Sequence, residues 1–176
     1  IIGKDECISL TDSQKYFTDE NLNRVILRPI LDKGMRLEEF MDTIDFEDDK
    51  SYLFVLNTIS CAKDFYKLLK ERLLKEQICG EDEIAFLSTH VVPKERLSRI
   101  EDMKDKKYRF AVTTQLIEAG VDIDYDVVYR DFAPLDSINQ TAGRCNREGK
   151  SKGEVYIVSL CDENRRYASY IYLEFP

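Results

Sequence analysis

Five short runs of aliphatic, aromatic and β-branched residues, the first four each followed by helix-spaced or turn-forming text, set the tightest limit on this chain. YLFVLN (52–57) precedes SCAKDFYKLLKERLLK, where Ala62, Phe65, Leu68, Leu69 and Leu73 recur at helical spacing. IAFLS (84–88) leads into a helix opening near Pro93, and RFAVTT (109–114) leads into the glycine-containing turn LIEAGVDID. DVVYRD (126–131) precedes a helix from about Leu135, and GEVYIVSL (153–160) follows. Strands alternating with crossover helices imply an α/β fold, with a mostly parallel central sheet and helices on both faces. The first 50 residues are less regular. ECISL and RVILRPIL read as strands, and DTIDFEDD (42–49), with five acids and no base, reads as a linker. We expect residues 1–50 to supply N-terminal strands and an acidic connecting segment within the same domain as 51–176.

A length of 176 residues suits one domain with a real core, and 43% hydrophobic residues argue against disorder. The net charge of −8 argues against a nonspecific nucleic-acid coat, but the charge is uneven. Residues 94–109 hold seven bases against four acids, and Gln140 to Lys152 four against one. A basic strip on an acidic body can still follow a phosphate backbone, although solvated helix faces would look the same. Five cysteines without a C-x-x-C pair suit a reducing cytoplasm, and the single His90 excludes a multi-histidine metal site. No run approaches the length of a membrane span, so no membrane partner is expected. The chain begins at Ile1 without methionine, which suggests a piece of a longer protein.

In open α/β sheets, ligands sit beyond the carboxyl ends of the strands. Three such ends here carry small polar clusters: Asn57-Thr58, Ser88-Thr89-His90 and Thr113-Thr114-Gln115. Hydroxyl and amide groups suit phosphate oxygens without base preference, and helix capping is the ordinary alternative at each. In EAGVDID, Gly120 suits a tight turn, and Asp122 could reach a sugar hydroxyl or a neighbouring domain's arginine; a simple turn cap would look alike.

QTAGRCNREGKS (140–151) resembles a phosphate loop only superficially. G-x-x-x-x-G-K-[ST] needs four residues between its glycines and a buried strand before it. Gly143 and Gly149 enclose five, and the preceding PLDSINQTA is polar and helix-like. Gln140, Arg144 and Arg147 instead stand at i, i+4 and i+7, one face if the helix continues. Two guanidiniums on one face invite an anion, although salt bridges to Glu148 and Asp136 would also satisfy them.

In this order the motifs resemble the second RecA-like domain of a superfamily 2 helicase, and within it the CRISPR-associated helicase-nuclease of type I systems. The specific parts are TTQLIEAGVDID and AGRCNR, and the resemblance covers about residues 50–160. It implies a RecA-like three-layer sandwich in which Gln140, Arg144 and Arg147 belong to the sixth helicase motif, its arginines acting as fingers on ATP. Gly120 and Asp122 fall on the fifth motif, which links nucleotide to nucleic acid, and Thr113-Thr114 on its DNA-facing start. Asn57-Thr58 and Ser88-Thr89 correspond to positions that contact strand phosphates. Thr141 departs from the pattern, since many members carry arginine there.

The family's P-loop and Asp-Glu metal motif belong to the first RecA-like domain, and neither occurs in this sequence. Asp131 therefore reads as structural, and one histidine cannot furnish the family's HD nuclease. The resemblance implies ATP and Mg2+ bound mainly by the first RecA-like domain, with no cofactor expected on this chain alone and no ATPase activity from it. The implied partners are that domain, single-stranded DNA and a CRISPR surveillance complex. A DNA-repair or restriction helicase would share the same mechanics.

Overall fold

The computed structural model describes residues 24–118, 120–149, 152–163 and 165–172; the ECISL run lies outside them. Six strands, β1 (Val25–Met35), β2 (Tyr52–Val55), β3 (Ile84–Leu87), β4 (Phe110–Thr113), β5 (Val127–Asp131) and β6 (Gly153–Leu160), form one sheet in the order β1-β6-β5-β2-β4-β3. All pairings between these strands are parallel. The five expected strands fall where the sequence pattern puts them, and RVILRPIL begins a sixth on the sheet edge. The helices are α1 (Leu37–Asp42), α2 (Ile59–Lys75), α3 (Pro93–Lys104), α4 (Leu135–Ala142) and the short α5 (Ala168–Ile171).

Alternate strand residues point to opposite faces, so each strand feeds two cores. Tyr52, Phe54, Phe110, Val112 and Tyr129 pack on one face against Phe40 of α1 and Phe65, Leu69 and Leu73 of α2. On that face the rings of Tyr156, Tyr129 and Phe54 stack across β6, β5 and β2, with centroids 4.7 and 5.1 Å apart. Leu53, Val55, Ala111, Val128 and Val155 face the other way, against Met103 of α3 and Ile117, Val121, Ile123 and Tyr125 of the β4–β5 connection. That connection and α4 thus lie on the second face, where the candidate site is built.

Two expectations change in detail. Among the described residues, coverage on both faces stops short of β1, where Ile26, Leu27 and Ile30 are exposed, and Pro29 fits a strand at the edge of the sheet. The acidic stretch 42–49 is pinned: Ile44 is fully buried, and the Phe46 ring packs edge-on to Tyr52 and Phe110. Its acids face water while its two apolar residues anchor it.

Candidate functional site

The parallel register aligns the carboxyl ends of β2, β4 and β3, which are neighbours in the sheet. The three polar clusters therefore share one edge, but they do not share one role. Asn57 is buried; its amide donates to Asp131 Oδ2 (2.7 Å) and the Phe132 carbonyl (2.8 Å), and its Oδ1 accepts from Arg130 (2.8 Å). Ser88 is buried and accepts from the His90 amide at 3.3 Å. Thr113 is buried and donates to the Thr114 carbonyl at 3.3 Å, and Thr114 is buried beside it. Only Thr58, half-buried, and Thr89, exposed, bring hydroxyls toward the surface. Thr58 also caps α2, accepting from the Cys61 amide at 3.1 Å.

From Thr114, at the carboxyl end of β4, the connection descends the second face to Tyr125, at the amino end of β5. The helix α4 descends beside it. The two meet at the bottom, where the Tyr125 amide donates to the Arg144 carbonyl (3.0 Å) and the Asn146 amide to the Tyr125 carbonyl (2.9 Å). Gly120 sits in this descent at φ +72° with open space around it, so its requirement is conformational and not steric.

Gln140, Arg144 and Arg147 do not share a helical face. The helix ends at Ala142, Gly143 caps it, and Asn146 turns the chain back at φ +44°. Gln140 lies exposed on the last turn, while Arg144 and Arg147 project from the turn that follows. Arg144 is half-buried and donates to the carbonyls of Ile117 (3.1 Å, Nε) and Glu118 (2.9 Å, Nη2). Arg147 is exposed; its Nη1 stands 3.0 Å from Asp122 Oδ1, and its amide donates to Asp124 Oδ1 at 2.6 Å. The expected alternative partners differ: Glu148 pairs with Lys106 at 3.6 Å. Burial lowers the Arg144 pKa, the charge of Arg147 lowers it further, and Asp122 works against both. The turn thus brings two guanidiniums and one carboxylate together. Beside them opens a recess of about 370 Å³ lined by Lys104, Lys106 and Arg147 and by the carboxylates of Asp122, Asp124 and Glu148. Thr141 is fully buried with its hydroxyl unpaired, so its departure from arginine changes packing under α4 and not the recess.

Sequence reasoning missed Arg130 and Glu118. Arg130 is fully buried, 3.0 Å from Glu118 Oε1. The available signal was an arginine inside the apolar run VVYRD. Asp131, read as structural, is fully buried and accepts from the Leu160 amide at 3.0 Å as well as from Asn57. Burial pushes its carboxyl up to about 7, against the opposing pull of the Leu160 amide and Arg130. Among the described residues no group of three or more His, Cys, Asp or Glu could hold a metal ion. No helix there is long and apolar enough to cross a membrane.

Residues 48–150 match the family model described as CRISPR-associated nuclease/helicase Cas3, C-terminal. A curated relative, the CRISPR-associated nuclease/helicase Cas3 of Methanothermobacter thermautotrophicus, is 26% identical over 151 residues, 81% of this chain but 17% of that protein. Among solved structures, T. fusca Cas3-AMPPNP superposes with TM-score 0.62 at 16% identity, covering 83% of this chain and 20% of that one. The DUF1998 helicase MrfA bound to DNA gives TM-score 0.63 at 21% identity, covering 78% and 20%. These two likenesses carry the RecA-like fold. The family rests on the sequence match, which spans more than half of the residues and includes both the Asp122 loop and the Arg144–Arg147 turn: the chain belongs to the CRISPR-associated nuclease/helicase Cas3, C-terminal family.

Proposed function

We propose that this chain is the second RecA-like half of an ATP-dependent helicase that moves single-stranded DNA during type I CRISPR interference. The carrying observation is the meeting of Asp122 with Arg147, 3.0 Å apart on an exposed surface, at the opposite end of the sheet from Thr58 and Thr89. That separation suits a motor with nucleotide at one end and strand at the other. Arg147 is the finger, its guanidinium accessible and its main chain fixed by Asp124; Arg144 sets the loop beside it, and Gln140 flanks both. Asp122 holds the guanidinium until a phosphate replaces it, and Gly120 gives the loop its turn. Thr58 and Thr89 touch strand phosphates, while Asn57, Ser88, Thr113 and Thr114 fix the shape of that edge.

The recess offers carboxylates for a sugar hydroxyl, but its cations Lys104, Lys106 and Arg147 are matched by Asp122, Asp124 and Glu148, so it is no phosphate cradle of its own. ATP with Mg2+ therefore belongs mainly to a first RecA-like domain and supplies the phosphoryl transfer whose developing charge an arginine stabilises. Domain closure carries Arg147 to it and moves the strand-gripping edge. A phosphate grip without base reading suits a motor on arbitrary sequence. Residues 24–50 join the elements that follow as one domain, and a CRISPR surveillance complex delivers the strand. The test is phosphate release from Mg-ATP with single-stranded DNA. Residues 1–176 alone should stay at background, and the same residues joined to their nucleotide-binding domain should be stimulated by DNA. Turnover by 1–176 alone would overturn the two-half reading.

A further inference from the structure

Arg130 leads the largest fully buried side chains among the described residues, and its guanidinium knots together five segments. Nη1 donates toward Asn57 Oδ1 (2.8 Å) and the carbonyls of Asp131 (2.9 Å) and Val55 (3.3 Å). Nη2 donates toward Ser137 Oγ (2.8 Å), Glu118 Oε1 (3.0 Å) and Tyr172 Oη (3.2 Å). Ser137 donates to the same Glu118 oxygen at 2.6 Å. The end of β2, the β4–β5 connection, the end of β5, the first turn of α4 and Tyr172 beyond α5 are thereby tied to one planar group. Stability alone is a poor reason for this arrangement: a buried ion pair is often matched or exceeded by apolar residues of the same volume. Here one buried donor, Nε, is even left unpaired.

Glu118 is gripped twice. Its carboxylate belongs to Arg130, and its carbonyl accepts from Arg144 at 2.9 Å. On the other side, Asn57 stands next to Thr58 on the strand-facing edge, and Gln115 donates to the Asn57 carbonyl at 2.9 Å. An unbroken polar path therefore runs from the end of β2, through Asn57, Arg130 and Glu118, to Arg144. We propose that the Arg130–Glu118 pair is a positioning device that transmits strand engagement at the carboxyl edge to the arginine turn, neither residue touching strand or nucleotide. A displaced Asn57 carries the rigid guanidinium fork with it, and Glu118, following, draws Arg144 and its turn. This inference rests on the function proposed above.

The test uses the protein that joins this chain to its nucleotide-binding domain, with ATP turnover read with and without single-stranded DNA. If the unmodified protein is not stimulated by DNA, the proposed function itself fails. If it is, Arg130→Lys, which keeps the charge but cannot bridge Asn57 and Glu118 together, and Glu118→Gln, which keeps the shape, decide the inference. Each should lower the stimulation ratio by roughly tenfold, a usual size for coupling between sites, and leave unstimulated turnover within about twofold. A packing defect alone reduces the folded fraction and scales both rates together, so it leaves the ratio unchanged. An unchanged ratio in folded variants overturns the inference. Should neither variant fold, hydrogen exchange on the unmodified protein still decides. DNA without nucleotide should alter exchange in 115–118 and 143–147 together, and a response confined to 57–58 and 88–90 overturns it.

Discussion

Arg147 reaches across 3.0 Å to Asp122 although both side chains remain accessible, 43% and 66% exposed. An exposed pair of this kind adds little to stability, yet the Arg147 amide is separately fastened to Asp124. The backbone is fixed and the guanidinium is held by a carboxylate that another anion can replace. That is the arrangement expected of a group kept ready for a phosphate.

Arg147→Ala should therefore change the stability of the chain by less than about 1 kcal/mol. In the protein carrying both RecA-like domains, loss of one transition-state donor should cut DNA-stimulated ATP turnover on the order of a thousandfold. Arg147→Lys should rescue poorly, because an ammonium lacks the planar fork. Melting temperature and turnover measured on both variants check this. Near-normal turnover in Arg147→Ala would remove the residue from the nucleotide site.

Arg144 should behave differently. Its guanidinium is half-buried and donates to two loop carbonyls, so Arg144→Ala strips the 115–118 turn of its brace. Charge-assisted hydrogen bonds of this sort suggest a loss of about 1.5–3 kcal/mol, measurable by urea denaturation. A loss no greater than that of Arg147→Ala would contradict the bracing role.

Much of this architecture is legible in the sequence because parallel strands buried on both faces must read as continuous apolar runs. The same logic explains what was illegible. Arg144 and Arg147 have helical spacing, but spacing cannot reveal that Gly143 and Asn146 end the helix and turn the chain. The polar clusters after β2, β3 and β4 correctly mark one edge. Composition could not reveal that Asn57 points inward, because that depends on Arg130 and Asp131 arriving from a strand distant in sequence. Arg130 was hidden for a related reason: a charge within an apolar run suggests an exposed position until its partner Glu118 is known.

The turn bearing the arginines depends on a close approach. A Cβ on Gly153 would lie 2.4 Å from Cys145 Sγ and 2.8 Å from Asn146 Cβ. Gly153→Ala should accordingly destabilise the chain by about 1–3 kcal/mol through overpacking. Adding Cys145→Ala should recover part of the loss, since the sulfur is the nearer obstacle, and a double-mutant cycle measures that coupling. Strict additivity of the two substitutions would show that the strand start and the turn relax independently.

Asp131 offers a prediction with a definite sign. Its carboxyl is raised to about 7 by burial, against about 3.9 in an unfolded chain. Between those values the folded chain binds the extra proton, so this group's contribution to stability falls as pH rises and is fully lost above about pH 7. Asp131→Asn removes the titration while keeping an acceptor for either the Leu160 amide or Asn57. The stability of the unmodified chain minus that of Asp131→Asn, followed by chemical denaturation, should therefore shrink as pH rises from about 5 to about 8. A constant difference, or one that grows with pH, would mean that Arg130, Asn57 and the Leu160 amide keep the carboxylate charged throughout. Burial would then not be the dominant influence on this residue.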